Sequence, residues 1–349
     1  MRLIHTADWH LGASLESVLP ADLAAVRRAE LLDTFSRMLD YAEENDVAAV
    51  LIAGDLFDSD RVRASAADRL CRLIAAHPRI TLYYLRGNHD ENARIVFPEN
   101  VRTFSHEFTS YPLGEGVTLY GCEAPDRHAY ETFFPDENER NIVLLHGAVT
   151  ESGYGEDIVN LRALRNRGID CLALGHYHTN KKEALDRRGF YLYAGTPEGR
   201  GFDEPGEKGF YLLDIDKAGV AATFVPFAAR TVHIVAPDLA GAVDFDAAVR
   251  ALDRALSDCR PCDIVRVELT DGGPLSPAVT DRLLKDRFFY AESRYTHGSA
   301  RDTADDYIDD ISLRGEFVRL VRDENLTDEE KEAVLQYGLA ALRGEEAER

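Results

Sequence analysis

Five short apolar runs in this chain each end in an aspartate, asparagine or histidine, and that repetition restricts the folds open to it. Leu3 to Ala7 runs into Asp8-Trp9-His10, and Val47 to Ala53 into Gly54-Asp55-Leu56-Phe57-Asp58. Leu82 to Arg86 leads to Gly87-Asn88-His89-Asp90, Ile142 to Leu145 to His146-Gly147, and Cys171 to Leu174 to Gly175-His176-Tyr177-His178. The run ending at Ala53 lacks polar alternation, so it reads as a strand buried on both faces and stopped by Gly54. Five strand ends therefore carry possible metal ligands where backbone turns into loop.

Between these runs lie helical patterns. From Ala21 to Glu44, apolar Leu23, Val26, Leu31, Leu32, Phe35, Met38, Leu39 and Ala42 keep a three-or-four spacing. Ser65-Ala66-Ala67-Asp68 reads as a capping start for a second helix with a stripe of Leu70, Cys71, Leu73 and Ile74, and Pro78 follows its end. Shorter strands come later, at Phe190 to Ala194, Gly209 to Ile215 and Ala222 to Phe227. The pattern predicts an α/β class: a two-sheet α/β sandwich over residues 1–227, with helices outside. Over residues 228–300 the order becomes β-α-β-α-β, which fits a small α+β cap domain. Residues 301–349 form an acidic tail with helical spacing at Phe317, Leu320 and Val321 and again at Val334, Leu335, Tyr337, Leu339 and Leu342.

The net charge of −22 argues against tight, autonomous DNA binding by bulk electrostatics. Part of that excess is local, since residues 301–349 hold fifteen acidic against seven basic residues. Metal ions supply positive charge where a phosphate must sit, so the sign of the whole chain does not decide the substrate. Five cysteines, an odd count, fit reduced thiols better than a disulfide framework. The start shows no signal pattern, and no apolar run approaches the roughly 18 residues of a membrane span. The expectation is a cytoplasmic protein with no membrane partner.

Asp8 and His10 are spaced to serve one ion from one extended turn, and His176 and His178 repeat the spacing. Asp55 has two oxygens with which to bridge two ions about 3.5–4 Å apart. Asn88 adds a neutral oxygen and His146 a further nitrogen. Carboxylates and imidazoles without thiolates favour Mn²⁺, Fe²⁺ or Zn²⁺ over Mg²⁺ or Ca²⁺.

Taken in order, Asp8-x-His10, Gly54-Asp55-x-x-Asp58, Gly87-Asn88-His89-Asp90, His146 and Gly175-His176-x-His178 resemble the calcineurin-like metallophosphoesterase superfamily over residues 1–227. The resemblance implies two divalent metal ions, Mn²⁺ first among the candidates. It implies that Asp8, His10, Asp55 and His178 hold one ion and that Asp55, Asn88, His146 and His176 hold the other. It further implies that a hydroxide bridging the ions attacks the phosphodiester, that His89 assists the leaving oxygen, and that Asp58 orients His89.

Within the superfamily the chain is most similar to SbcD-type DNA repair exonucleases of the short bacterial form. The carriers are His5-Thr6-Ala7-Asp8-Trp9-His10-Leu11-Gly12, Gly54-Asp55-Leu56-Phe57, the stretch Tyr193 to Phe202, and Glu204 to Gly209. This implies DNA as substrate and an SbcC-type ATPase as partner, with a homodimer left open. Such enzymes commonly carry histidine where this chain has Asp58. A phosphodiesterase for nucleotides or other small diesters, and a non-enzymatic subunit of an ATPase complex, are the alternatives. The arginines of phosphoprotein phosphatases are replaced by Ser59 and Glu91-Asn92.

Lys181, Lys182, Arg187 and Arg188 follow the last histidine pair and either contact DNA phosphates or form a solvated hairpin. Trp9 and Tyr177 read mainly as packing that fixes ligand rotamers, with base stacking the alternative. Cys259 and Cys262 have CxxC spacing without a second pair, so they read as ordinary cysteines rather than a zinc or redox site. The acidic tail either docks on the ATPase or packs on the cap.

Overall fold

The computed structural model describes residues 1–296 apart from 115, 156, 271 and 272, together with 313–324, 326, 327, 330, 331, 334, 335 and 338. Two six-stranded sheets face each other. From edge to edge the first holds Val220–Pro226, Gly209–Ile215, Arg2–Thr6, Ala49–Ala53, Thr81–Leu85 and Val101–Thr103. The second holds Lys181–Ala184, Phe190–Tyr193, Cys171–Gly175, Arg140–His146, Val117–Gly121 and Thr109–Gly114. The fold is the expected two-sheet α/β sandwich.

The missing alternation in the central strands has a direct cause. In strand 49–53, Ala49, Leu51 and Ala53 face the second sheet, packed with Leu119, Ile142, Leu144, Ala173 and Leu192. Val50 and Ile52 face outward under the helices, against Phe35, Met38, Leu39, Leu70 and Ile74. Successive side chains point to opposite faces, and here both faces are covered. Each fully buried Leu, Ile or Phe contributes about 1.5–3 kcal/mol. The second sheet's outer face is closed by helices Arg127–Thr132 and Leu161–Leu164, with Tyr130, Leu161 and Leu164 against Val143, Leu145 and Leu172.

Helix Ala21–Glu44 has the expected bounds, but Val26 is 43% exposed, while Arg27 is buried. Arg27 occupies the inner face because Glu30 (2.6 Å) and Glu198 (2.9 Å) accept from its guanidinium. A charge that is paired and hydrogen-bonded tolerates burial. The second helix spans Ala64–Ala76, so Ser65 lies inside it and makes no capping bond. Its buried residues are Leu70 and Ile74, with Leu73 partly buried against the same core.

The order β-α-β-α-β after residue 228 forms a three-stranded parallel sheet of Val232–Val235, Ile264–Thr270 and Tyr290–Thr296. Helices Phe245–Ala255 and Pro277–Leu284 cover one face through Ala248, Leu252 and Leu284. Packing crosses residue 228. Val232 and Ile264 belong to the core that contains Phe202 and Phe210, and Arg230 lies 3.6 Å over the Phe289 ring while donating to Glu30. In the tail, helix Leu313–Asp323 packs Val318 and Val321 against Leu335. Thr327 and Glu330 form a reciprocal capping pair. Tyr337, Leu339 and Leu342 lie outside the described residues.

Buried Asp263 is the polar anchor of this three-stranded sheet. It accepts from Arg260, from the Thr231 amide at 3.0 Å, and from His233 Nε2 at 3.1 Å. Burial alone raises a carboxyl pKa, but these donors outweigh it and hold Asp263 well below the usual carboxylate range. The unfolded chain therefore binds this proton at a higher pH, near 3.9, than the native one. Stability from Asp263 is complete above about pH 4 and is lost as pH falls below it. Thermal melts from pH 5 down to pH 2 should fall less steeply for Asp263→Asn than for wild type, and equal slopes would contradict the assignment.

Candidate metal centre

The parallel strands of both sheets deliver their carboxyl ends to one edge of the sandwich. Strands 2–6, 49–53 and 81–85 are parallel in the first sheet, as are 140–146 and 171–175 in the second. Ligands of open α/β sheets gather at such ends. The five sequence motifs follow those strands, and the structure brings most of their side chains together. Ligand atoms of Asp8, His10 and His178 lie within 4.8 Å of one another, and so do those of Asp8, Asp55 and His146.

Asp8 and His10 converge for a reason other than strand alternation. The strand ends at Thr6, and Asp8 (φ 53°), His10 (φ 45°), Asp55 (φ 51°) and His176 (φ 107°) all adopt left-handed backbone. Such residues cost on the order of 1–3 kcal/mol each and persist where neighbours fix them. Here the Asp8 amide donates to Gly54 O (3.1 Å), His10 to Asp55 O (2.9 Å) and Leu11 to Leu56 O (3.0 Å). The two loops thus pair with each other beyond the sheet.

Asp8 is fully buried and accepts from the His176 amide, at 2.9 and 3.1 Å. Burial pushes its carboxyl well above the ordinary range. His10 Nε2 stands 3.2 Å from His178 Nε2 and 3.7 Å from Asp55 Oδ2. Two imidazole nitrogens at that distance, beside a buried carboxylate, share either a proton or a cation. Asp55 Oδ1 accepts from the His89 amide at 3.0 Å, and its Oδ2 lies 3.5 Å from His146 Nε2. His146 Nδ1 is 2.8 Å from Ala53 O and its Nε2 2.9 Å from Asn88 Oδ1. Burial depresses both His146 and His10, which keeps them neutral as ligands must be. His176 lies at the rim, its ring 5.4 Å from that of His146. This donor set of carboxylates, imidazoles and an amide, with no thiolate, fits two divalent ions.

His89 is exposed and edge-on to His10, with ring centroids 4.7 Å apart. Its Nδ1 donates to the main-chain carbonyl of Asp58 at 3.0 Å. The expectation gave that role to Asp58's side chain. In the structure the Asp58 carboxylate is instead 3.3 Å from His10 Nδ1, outside hydrogen-bond geometry, and 3.6 Å from Arg200 Nη1. Asp90 closes the His89 loop by accepting from Phe57 N (3.0 Å), Gly87 N (2.8 Å) and Tyr84 OH (2.6 Å).

The four basic residues expected near DNA separate. Lys181 pairs with Glu183 at 2.7 Å, and Lys182 lies 4.2 Å over the Phe190 ring. Both sit on an exposed edge strand whose residue 181 is opposite Tyr193, at the site end. Arg187 and Arg188 occupy the turn at the far end of that strand pair. Arg188 is spent on Asp170 (2.8 Å) and two carbonyls. Trp9 is buried edge-on to Phe35, as packing requires. Tyr177 is 46% exposed and lies against Tyr193 at the rim, because its strand has already ended.

Two residues between Tyr193 and Gly209 join the site without having been expected there. Glu204, buried, accepts from Arg200 at 2.6 Å and its Oε1 lies 2.8 Å from His178 Nδ1, which Arg200 also meets at 3.1 Å. Burial would raise its carboxyl, yet these donors hold it at about 2. Both lie in the stretches, Tyr193 to Phe202 and Glu204 to Gly209, that carry the resemblance, but nothing in the sequence ties either residue to a particular histidine.

Fold and site together define a two-sheet α/β protein with adjoining carboxylate–imidazole clusters at its strand ends. The calcineurin-like phosphoesterase family profile matches residues 1–180, and the chain belongs to that family. The DNA double-strand break repair protein Mre11 of Methanopyrus kandleri is 26% identical over 257 residues, 63% of this chain and 55% of that protein. The uncharacterized metallophosphoesterase YhaO of Bacillus subtilis is 28% identical over 246 residues, 64% of this chain and 60% of its own length. A subunit of the SbcCD nuclease of Rhodobacter capsulatus is 38% identical over 105 residues, 29% of this chain and 24% of that protein. The chain thus spans little more than half of the first two relatives. Among the described residues no helix is long and apolar enough to cross a membrane.

Proposed function

We propose that the protein is a dinuclear-metal phosphodiesterase that degrades DNA from its ends and works with an SbcC-type ATPase. The observation that carries this reading is the pair of donor clusters sharing Asp8 beneath one mouth of the sandwich. Asp8, His10, Asp55 and His178 would hold one ion, and Asp55, Asn88, His146 and His176 the other, with Mn²⁺ the expected metal. When bound, the ions supply Lewis-acid charge and lower the pKa of the attacking water. Asp55 keeps the two sets of histidines in register, since its carboxylate approaches both His10 and His146. His89 has Nδ1 committed to a carbonyl, so Nε2 is the nitrogen left to pass a proton to the leaving oxygen.

Two relatives named for DNA repair or nuclease function support DNA as the substrate. In this reading residues 1–227 catalyse, 228–300 cap the substrate channel, and 301–349 dock the partner. Lys181 and Lys182 remain the cations nearest the site end for phosphate contact. The test is release of acid-soluble nucleotides from linear DNA with Mn²⁺, run beside bis-p-nitrophenyl phosphate, for wild type and His89→Ala. The expected result is degradation of both substrates by wild type, with turnover in the variant lower by about 10²–10⁴ and metal content unchanged. Cleavage of the small diester alone, even with an ATPase partner present, would assign the protein to small substrates.

A further inference from the structure

We propose that Glu204, braced by Arg200, is the positioning residue that aims the Nε2 nitrogen of His178 into the metal centre. The inference rests on the dinuclear reading above. His178 needs such a device because it follows a strand that has ended at Gly175, and its side chain remains about one-third exposed. Left to itself, a ring there samples both tautomers and several rotamers.

Two groups compete for the Nδ1 of that ring. Glu204 Oε1 lies at 2.8 Å and Arg200 Nη2 at 3.1 Å. With the proton on Nδ1, His178 donates to Glu204 and its Nε2 lone pair faces His10 and Asp8. With the proton on Nε2, Arg200 would donate to Nδ1 and His178 would cease to be a ligand. Without an ion, Arg200 Nη2 meets Nδ1 in hydrogen-bond geometry and uses its other N–H on Glu204 Oε1, at 2.6 Å. An ion on Nε2 requires the ring's proton on Nδ1, where a guanidinium cannot accept it. Glu204 Oε1, at 2.8 Å and charged, is then the acceptor at hand. A carboxylate behind a histidine ligand fixes tautomer and ring direction and raises the ligand's basicity.

The clamp is itself rigidly held. The Arg200 amide donates to Glu204 Oε2 (2.9 Å), and the Glu204 amide donates to Gly201 O (3.0 Å), closing the loop on itself. Lys208 Nζ donates to the His178 carbonyl at 2.9 Å, which pins the backbone on the other side of the ring. The loop rests on the cap through the Gly206 amide on Val232 O (2.9 Å) and through Phe202 beneath Arg266 (3.8 Å). Arg200 also faces Asp58, the carboxylate beside His10. One guanidinium thereby stands behind both histidines whose Nε2 atoms meet.

The experiment is metal titration of the metal-free full chain, with Mn²⁺ by calorimetry and Co²⁺ by its visible ligand-field bands, for wild type, Glu204→Gln and Glu204→Ala. Wild type is expected to take two ions. In Glu204→Ala one of the two should bind about 10–100-fold more weakly, with the other unchanged, and the Co²⁺ bands should shift. Glu204→Gln keeps the volume and an acceptor for the Arg200 amide but loses the charge paired with Arg200, so it should melt below metal-free wild type yet above Glu204→Ala, and fall between the other two in affinity. That variant separates positioning from folding if the alanine protein is unstable. Two wild-type affinities and an unshifted Co²⁺ spectrum in the folded glutamine and alanine proteins would overturn the clamp alone. Fewer than two ions in wild type would overturn the dinuclear reading itself, and the clamp with it.

Discussion

Exchange of Asp55 for asparagine is expected to lower phosphodiesterase turnover by about a thousandfold while raising the melting temperature of the metal-free protein. The two effects have opposite signs because one charge serves two states. Asp55 is buried, its Oδ1 accepts from the His89 amide, and its Oδ2 approaches both His10 and His146. Asparagine keeps the volume and the acceptor for His89, and it removes only the charge. Metal ions in a phosphoryl-transfer site contribute several kcal/mol of charge stabilisation, and about 1.4 kcal/mol corresponds to a factor of ten. Weak occupancy of the ion positions that Asp55 would serve accounts for three orders of magnitude.

Without ions, the same charge is a liability. Asp8 is fully buried, and its carboxylate belongs to the same cluster as that of Asp55, within 4.8 Å. No cationic side chain forms an ion pair with either carboxylate among the described residues, the histidines apart. Burial first and then the charge of Asp55 push the Asp8 carboxyl well above its ordinary range, so without ions the Asp55 charge opposes ionisation of its neighbour in a water-poor site, and neutralising it relieves the fold. The metal-free variant should melt a few degrees higher, about 2–4 °C per kcal/mol gained for a chain of this order. Stability given up for function is a general property of such sites. Metal analysis, calorimetric melts with and without chelator, and turnover on a chromogenic diester check all three parts. A variant that retains two ions, or that melts below metal-free wild type, contradicts the assignment.

The sandwich was legible because its strands are buried on both faces, which writes them as unbroken apolar runs. The stretch between Phe97 and Gly121 was not, and its strand Thr109–Gly114 shows why. It lies at a sheet edge, alternates between partly buried and exposed, and contains Pro112. An edge strand tolerates proline, which in sequence argues against a strand at all. Helix Ala21–Glu44 was read correctly in extent and wrongly at one position. Periodicity put Val26 inside, whereas Arg27 is inside, because its partners Glu30 and Glu198 are respectively three and 171 residues away. No local pattern carries the second.

The site divides in the same way. Which ligand residues gather was legible, since each of those expected stands at the end of an apolar run. How they gather was not. Spacing suggests that Asp8 and His10 share a side of an extended strand, yet both are in left-handed backbone held by the loop after Gly54. Likewise His89 finds Asp58 through its carbonyl, an atom every residue has. Glu204 was hidden for the converse reason: its meaning comes from a contact with His178, made across a loop that only the fold closes.

Gly175→Ala should be the most damaging single methyl in the molecule, costing about 3 kcal/mol of stability and most of the metal affinity of the His146 side. Gly175 ends strand 171–175, directly against Ala53 of the other sheet. A Cβ there would lie 1.9 Å from the Ala53 carbonyl oxygen, 2.8 Å from Ala7 Cβ and 2.9 Å from His146 Nδ1. The first contact is with backbone in the middle of a buried parallel sheet, so no rotamer change relieves it. Either strand 171–175 or strand 49–53 must shift. Ala53 O is also the atom that His146 Nδ1 meets at 2.8 Å, which fixes the ring so that Nε2 faces Asn88 and Asp55. Displacing that carbonyl turns the ring, and displacing strand 171–175 moves His176 and His178 instead. Both routes open the ligand set, so stability and metal binding must fall together. A drop of about 6–12 °C in the melting temperature, with loss of one of two bound ions at matched concentration, is the expected result. A stable variant that keeps both ions would mean that the sheets yield at this point, and that the tight approach of strand ends is not what aims His146.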